Sequence, residues 1–250
     1  MEKILGVIPA RYASTRFEGK PLKLIDGKPM IEWVYKRAKN ANIDKLVVAT
    51  DDKRIYDTVI SFGGEAVMTS ENHENGTGRI IEVINNSEYS KYDFVINIQG
   101  DEPFIAIDQI EALKNCFVSD QIQLATLVKP FDANTSIDEL ENPNTPKVIL
   151  SQTGEAICFS RSVIPYLRGV EKSQWATAHT YYKHIGIYAY RTDILAQITK
   201  MTQTPIEKAE SLEQLRWLEN GLHIHVAITH SDNHSIDTPE DLQRVVALMK

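Results

Sequence analysis

The sequence is poor in cysteine and has no apolar run long enough to cross a membrane. Its two cysteines, Cys116 and Cys158, lie outside any C-x-x-C or metal-binding spacing, which is typical of buried thiols in a reducing compartment. The first apolar segment, residues 4–10, is too short for a secretory signal and is cut off by Arg11. We therefore expect a cytoplasmic protein with no membrane insertion.

Positive charge is also in the minority. The 250 residues include 27 Lys and Arg against 34 Asp and Glu, a formal net charge of −7, whereas a nucleic-acid-binding surface needs a concentrated basic face. We therefore expect no nucleic-acid partner. Hydrophobic residues make up 42% and charged residues 24% of the chain. This balance is enough to bury a full core, and we expect a single domain over residues 1–250.

Three familiar signatures are missing. The sequence contains neither the phosphate-binding patterns G-x-x-x-x-G-K-[ST] and G-x-G-x-x-G nor the nucleophile elbow G-x-S-x-G. Ser160 and Ser162 therefore have no recognisable nucleophile context. The remaining option is chemistry by positioning and metal electrostatics, which is how phosphoryl and nucleotidyl groups are transferred.

What the sequence does contain is an alternation of short apolar strands with amphipathic helices. The predicted strands include residues 4–8, 45–50, 65–68, 94–98, 124–129 and 224–228. In most of these strands the residues that point to either face are apolar, as in a parallel sheet that is covered on both faces. This rhythm predicts an α/β fold with a doubly wound, mostly parallel sheet.

The rhythm changes in residues 148–190, which contain three strands with no clear helix between the last two. The pattern predicts a smaller antiparallel elaboration. Residues 165–180 within it suit a small lobe, a subunit contact or a substrate lid. Beyond it, apolar residues at helical spacing predict one helix over 206–220, with Ala209 and Leu212 facing inward.

Charged residues follow several predicted strands where each strand ends. Arg11, Arg16 and Lys20 lie in the loop after the first strand, and Asp101 and Asp237 follow later ones. In open α/β sheets the ligand binds outside the carboxyl ends of the strands. The cations could hold a polyphosphate, and the carboxylates could bridge it through Mg²⁺.

Each of these residues also has a structural interpretation. The cationic loop could be solvated surface, Asp101 could form an Asx turn before Pro103, and Asp237 could serve only a helix dipole. His184 and Tyr188 lie four apart on one strand, as in a core pair with satisfied polar tips. Glu210 and Gln214, at i and i+4, could be ordinary solvent-facing residues.

Taken in order, the motifs make the chain resemble the 3-deoxy-manno-octulosonate cytidylyltransferase family, the CMP-Kdo synthetases of Gram-negative envelope biosynthesis. The matching segments span essentially the whole chain and read IPARYASTRFEGKPL, KLVVATDD, HENGTGR, VINIQGDEP, NPNTPKV, FSRSVIP, KHIGIYAYR, SLEQLRWLENG and IDTPEDL. The resemblance implies the nucleotide-diphospho-sugar transferase type of α/β fold and a homodimer.

The resemblance further implies transfer of CMP from CTP to the 2-hydroxyl of 3-deoxy-D-manno-octulosonate (Kdo). The products would be pyrophosphate and CMP-Kdo for lipopolysaccharide biosynthesis. Arg11, Arg16 and Lys20 would hold the triphosphate, Ala10, Asn75, Gly76 and Thr77 the cytidine, and Asp101 and Asp237 the Mg²⁺. The sugar acid would contact Arg79, Gln99, Arg161, His184, Tyr188, Glu210 and Gln214.

Two positions depart from the family pattern. The first loop usually reads R-x-P-G-K-P, and here Glu18 replaces the proline that would stiffen it. The usual G-T-[DE]-R carries an acid where this chain has Gly78. A missing carboxylate there could change how Arg79 is held.

Other functions stay open on the sequence alone. The same reaction on the 8-amino analogue of Kdo fits equally well, whereas a sialic acid fits less well because the sialate enzymes tend to read A-R-G-G-S-K in the first loop. Glu18 and Gly78 would also suit a nucleotide-binding module without catalysis. A metal-dependent glycosyltransferase would leave the three cations of the first loop unexplained.

Overall fold

The computed structural model describes residues 3–13, 17–73, 75–117, 119, 121–232 and 235–248. The strands are β1 (Ile4–Ala10), β2 (Leu24–Ile25), β3 (Lys28–Pro29), β4 (Lys45–Thr50), β5 (Ala66–Met68), β6 (Phe94–Asn97), β7 (Leu124–Pro130), β8 (Lys147–Leu150), β9 (Ala156–Ser160), β10 (Tyr182–Arg191) and β11 (Ile224–Ile228). The helices are α1 (Met30–Lys39), α2 (Lys53–Ser61), α3 (Gly76–Asn85), α4 (Ile107–Cys116), α5 (Ile137–Leu140), α6 (Trp175–Ala178), α7 (Thr192–Ile198), α8 (Pro205–Glu210), α9 (Glu213–Glu219) and α10 (Pro239–Leu248). Single 3₁₀ turns cover Lys20–Leu22 and Lys172–Gln174.

The chain divides into two compact units. The first comprises Met1–Glu111, Ile187–Thr199 and Asp232–Lys250, and the second comprises Ala112–Gly186 and Lys200–Ser231. Strand β10 supplies its first half to the second unit and its second half to the first. Across the described residues, no helix combines the length and apolar character needed to span a bilayer.

The first unit is built on parallel strands in the order β6-β1-β4-β5, with the second half of β10 antiparallel to β6. Strand β1 lies between β6 and β4. Its residues Leu5, Val7 and Ile8 have no exposed surface, as expected for a strand covered on both faces. Gly6 allows close packing, since a Cβ there would lie 2.8 Å from the Leu46 side chain.

A short hairpin formed by β2 and β3 follows the loop after β1 and leads into α1. Its turn residues, Asp26 and Gly27, both have positive φ (46° and 75°), the conformation of a two-residue hairpin turn that favours Asp-Gly. The hairpin delivers Ile25 and Met30 into a cluster with Ile236 and Val245. Residues near both ends of the sequence therefore share one apolar core.

The second unit combines a parallel and an antiparallel pairing. Strand β11 lies parallel to β7, whereas β8 is antiparallel to β9 and to the first half of β10. The predicted α/β class is confirmed, with a mostly parallel sheet and an antiparallel elaboration. Residues 165–180 carry a 3₁₀ turn and α6, and Trp175 there packs with Leu140 and Tyr181.

The prediction of a single helix over 206–220 is wrong. Ser211 adopts a left-handed conformation (φ 51°, ψ 47°) and ends α8, and the extended Leu212 precedes α9. The predicted inward face is also wrong at Ala209, which is exposed, while Glu207 is buried. The reason is an ion pair, because Arg216 on α9 donates two hydrogen bonds to the Glu207 carboxylate at 2.6 and 2.8 Å.

This ion pair should be needed for the stability of the second unit. Replacing Arg216 with methionine leaves the Glu207 carboxylate, whose side chain is 5% exposed, without its charged partner. We expect Arg216→Met to lower the free energy of unfolding by about 3–5 kcal/mol, measured by urea denaturation. Lys172→Met breaks the exposed pair with Glu141 and should cost under about 1 kcal/mol. Equal losses in the two variants would contradict the assignment.

Candidate functional site

A polar pocket of about 310 Å³ lies in the first unit, where β1 and β6 end. Its lining comprises Pro9, Ala10, Arg11, Lys20, Pro21, His73, Asn75, Gly76, Arg79, Gln99, Gly100, Asp101 and Asp237. The carboxyl edge of parallel strands is where α/β folds bind ligands. The structure therefore brings together the cationic loop and both carboxylates that the sequence analysis selected.

The Lys20 ammonium lies between the two carboxylates. Its Nζ donates to Asp101 Oδ2 at 2.8 Å and to Asp237 Oδ1 at 3.1 Å. The side chains of Lys20, Asp101 and Asp237 are 15%, 27% and 35% exposed. The two carboxylates thus converge on one point that a solvated ligand or ion can reach.

Apolar packing and one backbone hydrogen bond bring these distant residues together. Ile236 is fully buried against Ile25 and Met30, which fixes the chain just before Asp237. The Ile236 amide donates to the Asp101 carbonyl at 2.9 Å. Asp101 and Asp237 are 136 positions apart in sequence, yet they are held beside each other by backbone contacts.

The glycine before Asp101 is required by close packing of the backbone. Gly100 lines the pocket, and a Cβ at this position would lie 2.7 Å from the Pro9 carbonyl oxygen. The missing side chain lets the end of β6 approach the end of β1. This close approach places Ala10 and Gln99 on the same pocket wall.

The cationic loop is closed by its own backbone. Gly19 has a left-handed φ of 65°, and its amide donates to the Tyr12 carbonyl at 3.0 Å. The Arg54 guanidinium lies 3.3 Å from the centre of the Tyr12 ring and is itself bound by the Asp52 carboxylate. The described part of the loop is thereby attached to the start of α2. Arg16, predicted to bind phosphate, lies outside the described residues.

Arg79 lines the pocket with its guanidinium already held. The residue is 3% exposed, and its Nη2 donates to Asp51 Oδ2 at 2.6 Å. Its Nη1 also donates to the Thr69 hydroxyl. Asp51 directly follows β4, so a residue at the carboxyl end of a parallel strand holds Arg79 in place.

The sequence analysis missed His73. Its Nε2 contacts the Glu82 carboxylate, which also accepts a hydrogen bond from the Ser70 amide at 2.9 Å. Burial tends to raise the pKa of Glu82, but the Ser70 hydrogen bond and His73 together hold this pKa below its usual value. The spacing of residues did not predict the His73–Glu82 pair, because the sequence around His73 is polar without a regular pattern.

Of the four cytidine residues predicted from the resemblance, Ala10 ends β1 and the other three lie at the start of α3. Asn75 is the N-cap, its side chain accepting from the Gly78 amide at 2.9 Å, and both Asn75 and Gly76 line the pocket. Thr77 is buried at 4% exposure and is not part of the lining. A helix N-terminus presents unpaired amides to a polar or anionic ligand.

In the second unit, Glu210 and Arg161 form a polar cluster with Ser160. The Glu210 carboxylate accepts from the Ser160 hydroxyl at 2.6 Å and from the Arg161 amide at 2.8 Å. The Arg161 guanidinium donates to the carbonyls of Glu210 (2.6 Å), Pro143 (2.8 Å) and Ser211 (3.3 Å). Glu210 is therefore not an ordinary solvent-facing residue.

Two further predicted residues of this unit are enclosed. His184 Nε2 lies 3.1 Å from the Thr126 hydroxyl, and its ring packs against Phe159 with the centroids 5.1 Å apart. Desolvation lowers the pKa of His184 to about 3, so the ring is neutral. Gln214 is 5% exposed, and its Nε2 has no hydrogen-bond partner within the described chain. A buried amide without an acceptor suggests a site for a polar ligand atom.

Tyr188 belongs to the first unit and is buried at 7% exposure, with its ring stacked on Tyr190. It is the register partner of Asn97 on β6. Asn97 is also buried, and its Oδ1 has no hydrogen-bond partner among the described residues. Asn97 was not among the predicted site residues, although it lies in the VINIQGDEP segment, because an asparagine inside an apolar run does not by itself indicate a ligand contact.

The pocket suits an anionic ligand accompanied by a divalent cation. Mg²⁺ is usually held by one or two carboxylates together with substrate oxygens, and Asp101 with Asp237 meets that requirement. No larger group of three or more His, Cys, Asp or Glu side chains arranged for a metal occurs within the described ranges. Arg11 and Lys20 supply positive charge for phosphate oxygens.

Comparison with known proteins agrees with the class defined by this fold and pocket. The family model for cytidylyltransferases matches residues 5–224. The chain is 52% identical to a 3-deoxy-manno-octulosonate cytidylyltransferase from Parabacteroides distasonis, covering 100% of this chain and 99% of the relative.

Solved structures give the same result. A CMP:2-keto-3-deoxy-manno-octonic acid synthetase complexed with CTP is 42% identical, with a TM-score of 0.90 over 99% of this chain and 98% of that one. A 4-diphosphocytidyl-2C-methyl-D-erythritol synthase from Anaerococcus prevotii shares the fold at 12% identity, with a TM-score of 0.63 over 99% of this chain and 98% of that one. The chain belongs to the 3-deoxy-manno-octulosonate cytidylyltransferase family, which confirms the resemblance predicted from its motifs.

The neutral, desolvated His184 should make the protein sensitive to acid. Its pKa is about 3 in the folded state against 6.5 for the ordinary group. Its contribution to stability is therefore complete above pH 6.5 and is lost as the pH falls toward 3, at up to about 1.4 kcal/mol per pH unit. We expect His184→Gln to flatten this slope in urea denaturation between pH 6.5 and 4.5. His230→Gln, at an exposed position, should leave the slope unchanged, and an unaltered slope in His184→Gln would contradict the assignment.

Proposed function

We propose that this chain is the enzyme that transfers CMP from CTP to the 2-hydroxyl of Kdo, releasing CMP-Kdo and pyrophosphate. The observation that carries the proposal is the convergence of Asp101 and Asp237 on Lys20 in a pocket that also contains Arg11. The two carboxylates fit a metal, and the two cations fit a triphosphate. The relatives named for this reaction support the choice of substrates.

In this proposal the first unit binds the nucleotide. Arg11 and Lys20, together with Arg16, hold the triphosphate, and the strand end at Ala10 and the start of α3 bind cytosine and ribose. Asn75, as N-cap, accepts a hydrogen bond from the Gly78 amide and so orders the first turn of α3, which contains Gly76 and Thr77. Lys20 is already bound by two carboxylates, so phosphate oxygens would compete with groups of the same charge.

The same proposal assigns the polar cluster of the second unit to the sugar acid, through Arg161, Glu210, His184 and Gln214. Glu210 is held by two hydrogen bonds, so its carboxylate is oriented before a ligand arrives. Neutral His184 and the unpartnered Gln214 amide suit hydroxyl groups rather than charged ones. Arg79, Gln99 and Tyr188 of the first unit remain predicted sugar contacts, and the buried ion pair with Asp51 gives Arg79 a fixed position.

The reaction would proceed by direct displacement. The 2-hydroxyl of the sugar would attack the α-phosphorus of CTP and lose its proton to solvent. The bond between the α-phosphorus and the oxygen that bridges to the β-phosphate would break, and pyrophosphate would leave with both electrons of that bond. Lys20 and Arg11 would neutralise the charge that develops on the phosphate oxygens. Mg²⁺ held by Asp101 and Asp237 would supply Lewis-acid stabilisation of the same charge.

We also propose a cytoplasmic homodimer. Tyr166, in the 165–180 segment, is 73% exposed although its ring packs against Trp175, which is the kind of apolar surface that a second copy covers. Both cysteines are free, as expected in a reducing compartment. Sedimentation showing a monomer at micromolar concentration, or cell fractionation placing the protein outside the cytoplasm, would refute these assignments.

The test of the proposed reaction is pyrophosphate release. Incubation of the protein with CTP, Mg²⁺ and Kdo should produce pyrophosphate and CMP-Kdo in equal amounts, whereas UTP should give much less product. Release with the 8-amino analogue or a sialic acid but not with Kdo would show that the substrate is wrong. CTP binding without turnover of any of these sugars would show that the chain is a binding module.

Asp101→Asn should separate catalysis from folding. The amide keeps the shape of the side chain but removes the charge needed to bind a metal, so we expect kcat to fall on the order of 100-fold or more. Urea denaturation should show a change of under about 1 kcal/mol, because the Lys20 ion pair is partly exposed. Asp57→Asn, which alters an exposed pair with Lys53, is the matched control. A near-normal kcat in Asp101→Asn would refute its role.

A further inference from the structure

Lys147 is an unusual residue of the second unit that the proposed reaction does not use. Its side chain, on β8, has no exposed surface, although lysine is almost never fully buried without a charged partner. Its Nζ makes one hydrogen bond, to the Asn142 carbonyl at 3.0 Å, and no ion pair within the part of the chain that the structure describes. Burial of an amine with so few partners is costly, so the position calls for an explanation.

The charges around Lys147 belong to the sugar-acid cluster. Burial lowers the pKa of Lys147, while the Glu210 carboxylate raises it and the Arg161 guanidinium lowers it further. On the sheet, Lys147 lies in register with Ser160 on β9 and with Lys183 on β10. Ser160 in turn donates to the Glu210 carboxylate. Lys147 is thus the cross-strand neighbour of a residue that holds Glu210.

Lys147 and Arg161 also fix the same turn. Lys147 donates to the carbonyl of Asn142, and Arg161 Nη1 donates to the carbonyl of the next residue, Pro143, at 2.8 Å. The other donors of Arg161 bind the carbonyls of Glu210 and Ser211. The turn, the end of β9 and the end of α8 are therefore joined through two cations.

We propose that Lys147 is a positioning residue for the sugar acid, which fixes Glu210 and Arg161 in their binding arrangement without contacting the ligand itself. The ammonium attracts the Glu210 carboxylate, and together with Arg161 it holds the Asn142–Pro143 turn. This inference rests on the proposed function, since it assumes that the cluster binds Kdo. It assigns Lys147 to the affinity for the sugar acid and not to the affinity for CTP.

A purely structural lysine makes a different prediction. Replacement of a buried charged group by an apolar side chain of similar volume is often neutral or stabilising. If Lys147 only fills space, Lys147→Met should leave both KM values unchanged. If Lys147 positions the cluster, the variant should fold as well as the parent and still bind the sugar acid poorly.

The experiment measures KM for Kdo and for CTP in Lys147→Met by pyrophosphate release. We expect the KM for Kdo to rise about tenfold, with the KM for CTP changed less than about twofold. Lys172→Met, the same chemical change at an exposed ion pair, should alter neither constant. Equal changes in the two KM values, or no change, would overturn the proposal.

A double-mutant cycle with Glu210→Gln tests the coupling directly. If Lys147 acts through the Glu210 charge, Lys147→Met should have a smaller effect on the KM for Kdo in the Glu210→Gln background than in the parent. The same cycle in urea denaturation gives the Lys147–Glu210 coupling without any turnover. Additive effects on unfolding would therefore overturn the proposal even if the chain failed to use Kdo, whereas coupling without Kdo turnover would refute only the proposed function.

Discussion

The charge balance of the pocket in the first unit depends on the Lys20 ammonium held between Asp101 and Asp237. These three side chains come from the loop after β1, the end of β6 and the segment before α10, and their charges meet only because the backbone brings them together. Burial of Ile236 and its hydrogen bond to the Asp101 carbonyl fix Asp237 beside Asp101. The close approach of Gly100 to Pro9 fixes Asp101 beside the end of β1. Two carboxylates this near each other would repel strongly without a cation between them, so any ligand that draws Lys20 away favours a second cation in its place.

The two departures from the family pattern have local explanations in this structure. Glu18 is exposed, and the loop does not rely on it: the Arg54 guanidinium, which is bound by Asp52, lies on the Tyr12 ring. The loop is thus attached to the start of α2 without the proline that usually stiffens it. A Cβ at Gly78 would lie 3.1 Å from His73 Nδ1, so the glycine gives the imidazole its space. Arg79 does not need an acid at position 78, because Asp51 holds it.

The residues that lie at the ends of predicted strands could be identified from the sequence. Lys20, Asp101 and Asp237 each follow an apolar run or precede a capped helix, so local patterns placed them on one rim. Other features depend on partners distant in sequence. Asp51 binds the Arg79 guanidinium, and Glu82 contacts the His73 ring. Arg216 binds the buried Glu207 carboxylate across the helix break at Ser211. A helical pattern of apolar residues could not show that a single left-handed serine divides the helix, since serine is compatible with both conformations.

The two polar groups of this protein are held in different ways, and this difference has a functional consequence. In the first unit the side chains of Lys20, Asp101 and Asp237 are 15–35% exposed, so each of these three can exchange its partner for phosphate or metal at little cost. In the second unit Arg161 donates to three backbone carbonyls, and Glu210 accepts from a hydroxyl and an amide. Four of these five bonds have a backbone atom as one partner, so the fold of the unit sets their geometry. Under the proposed function, the nucleotide site would therefore adapt to the charge of its ligand, whereas the sugar-acid site would be preorganised and would select its ligand by shape and hydrogen bonding.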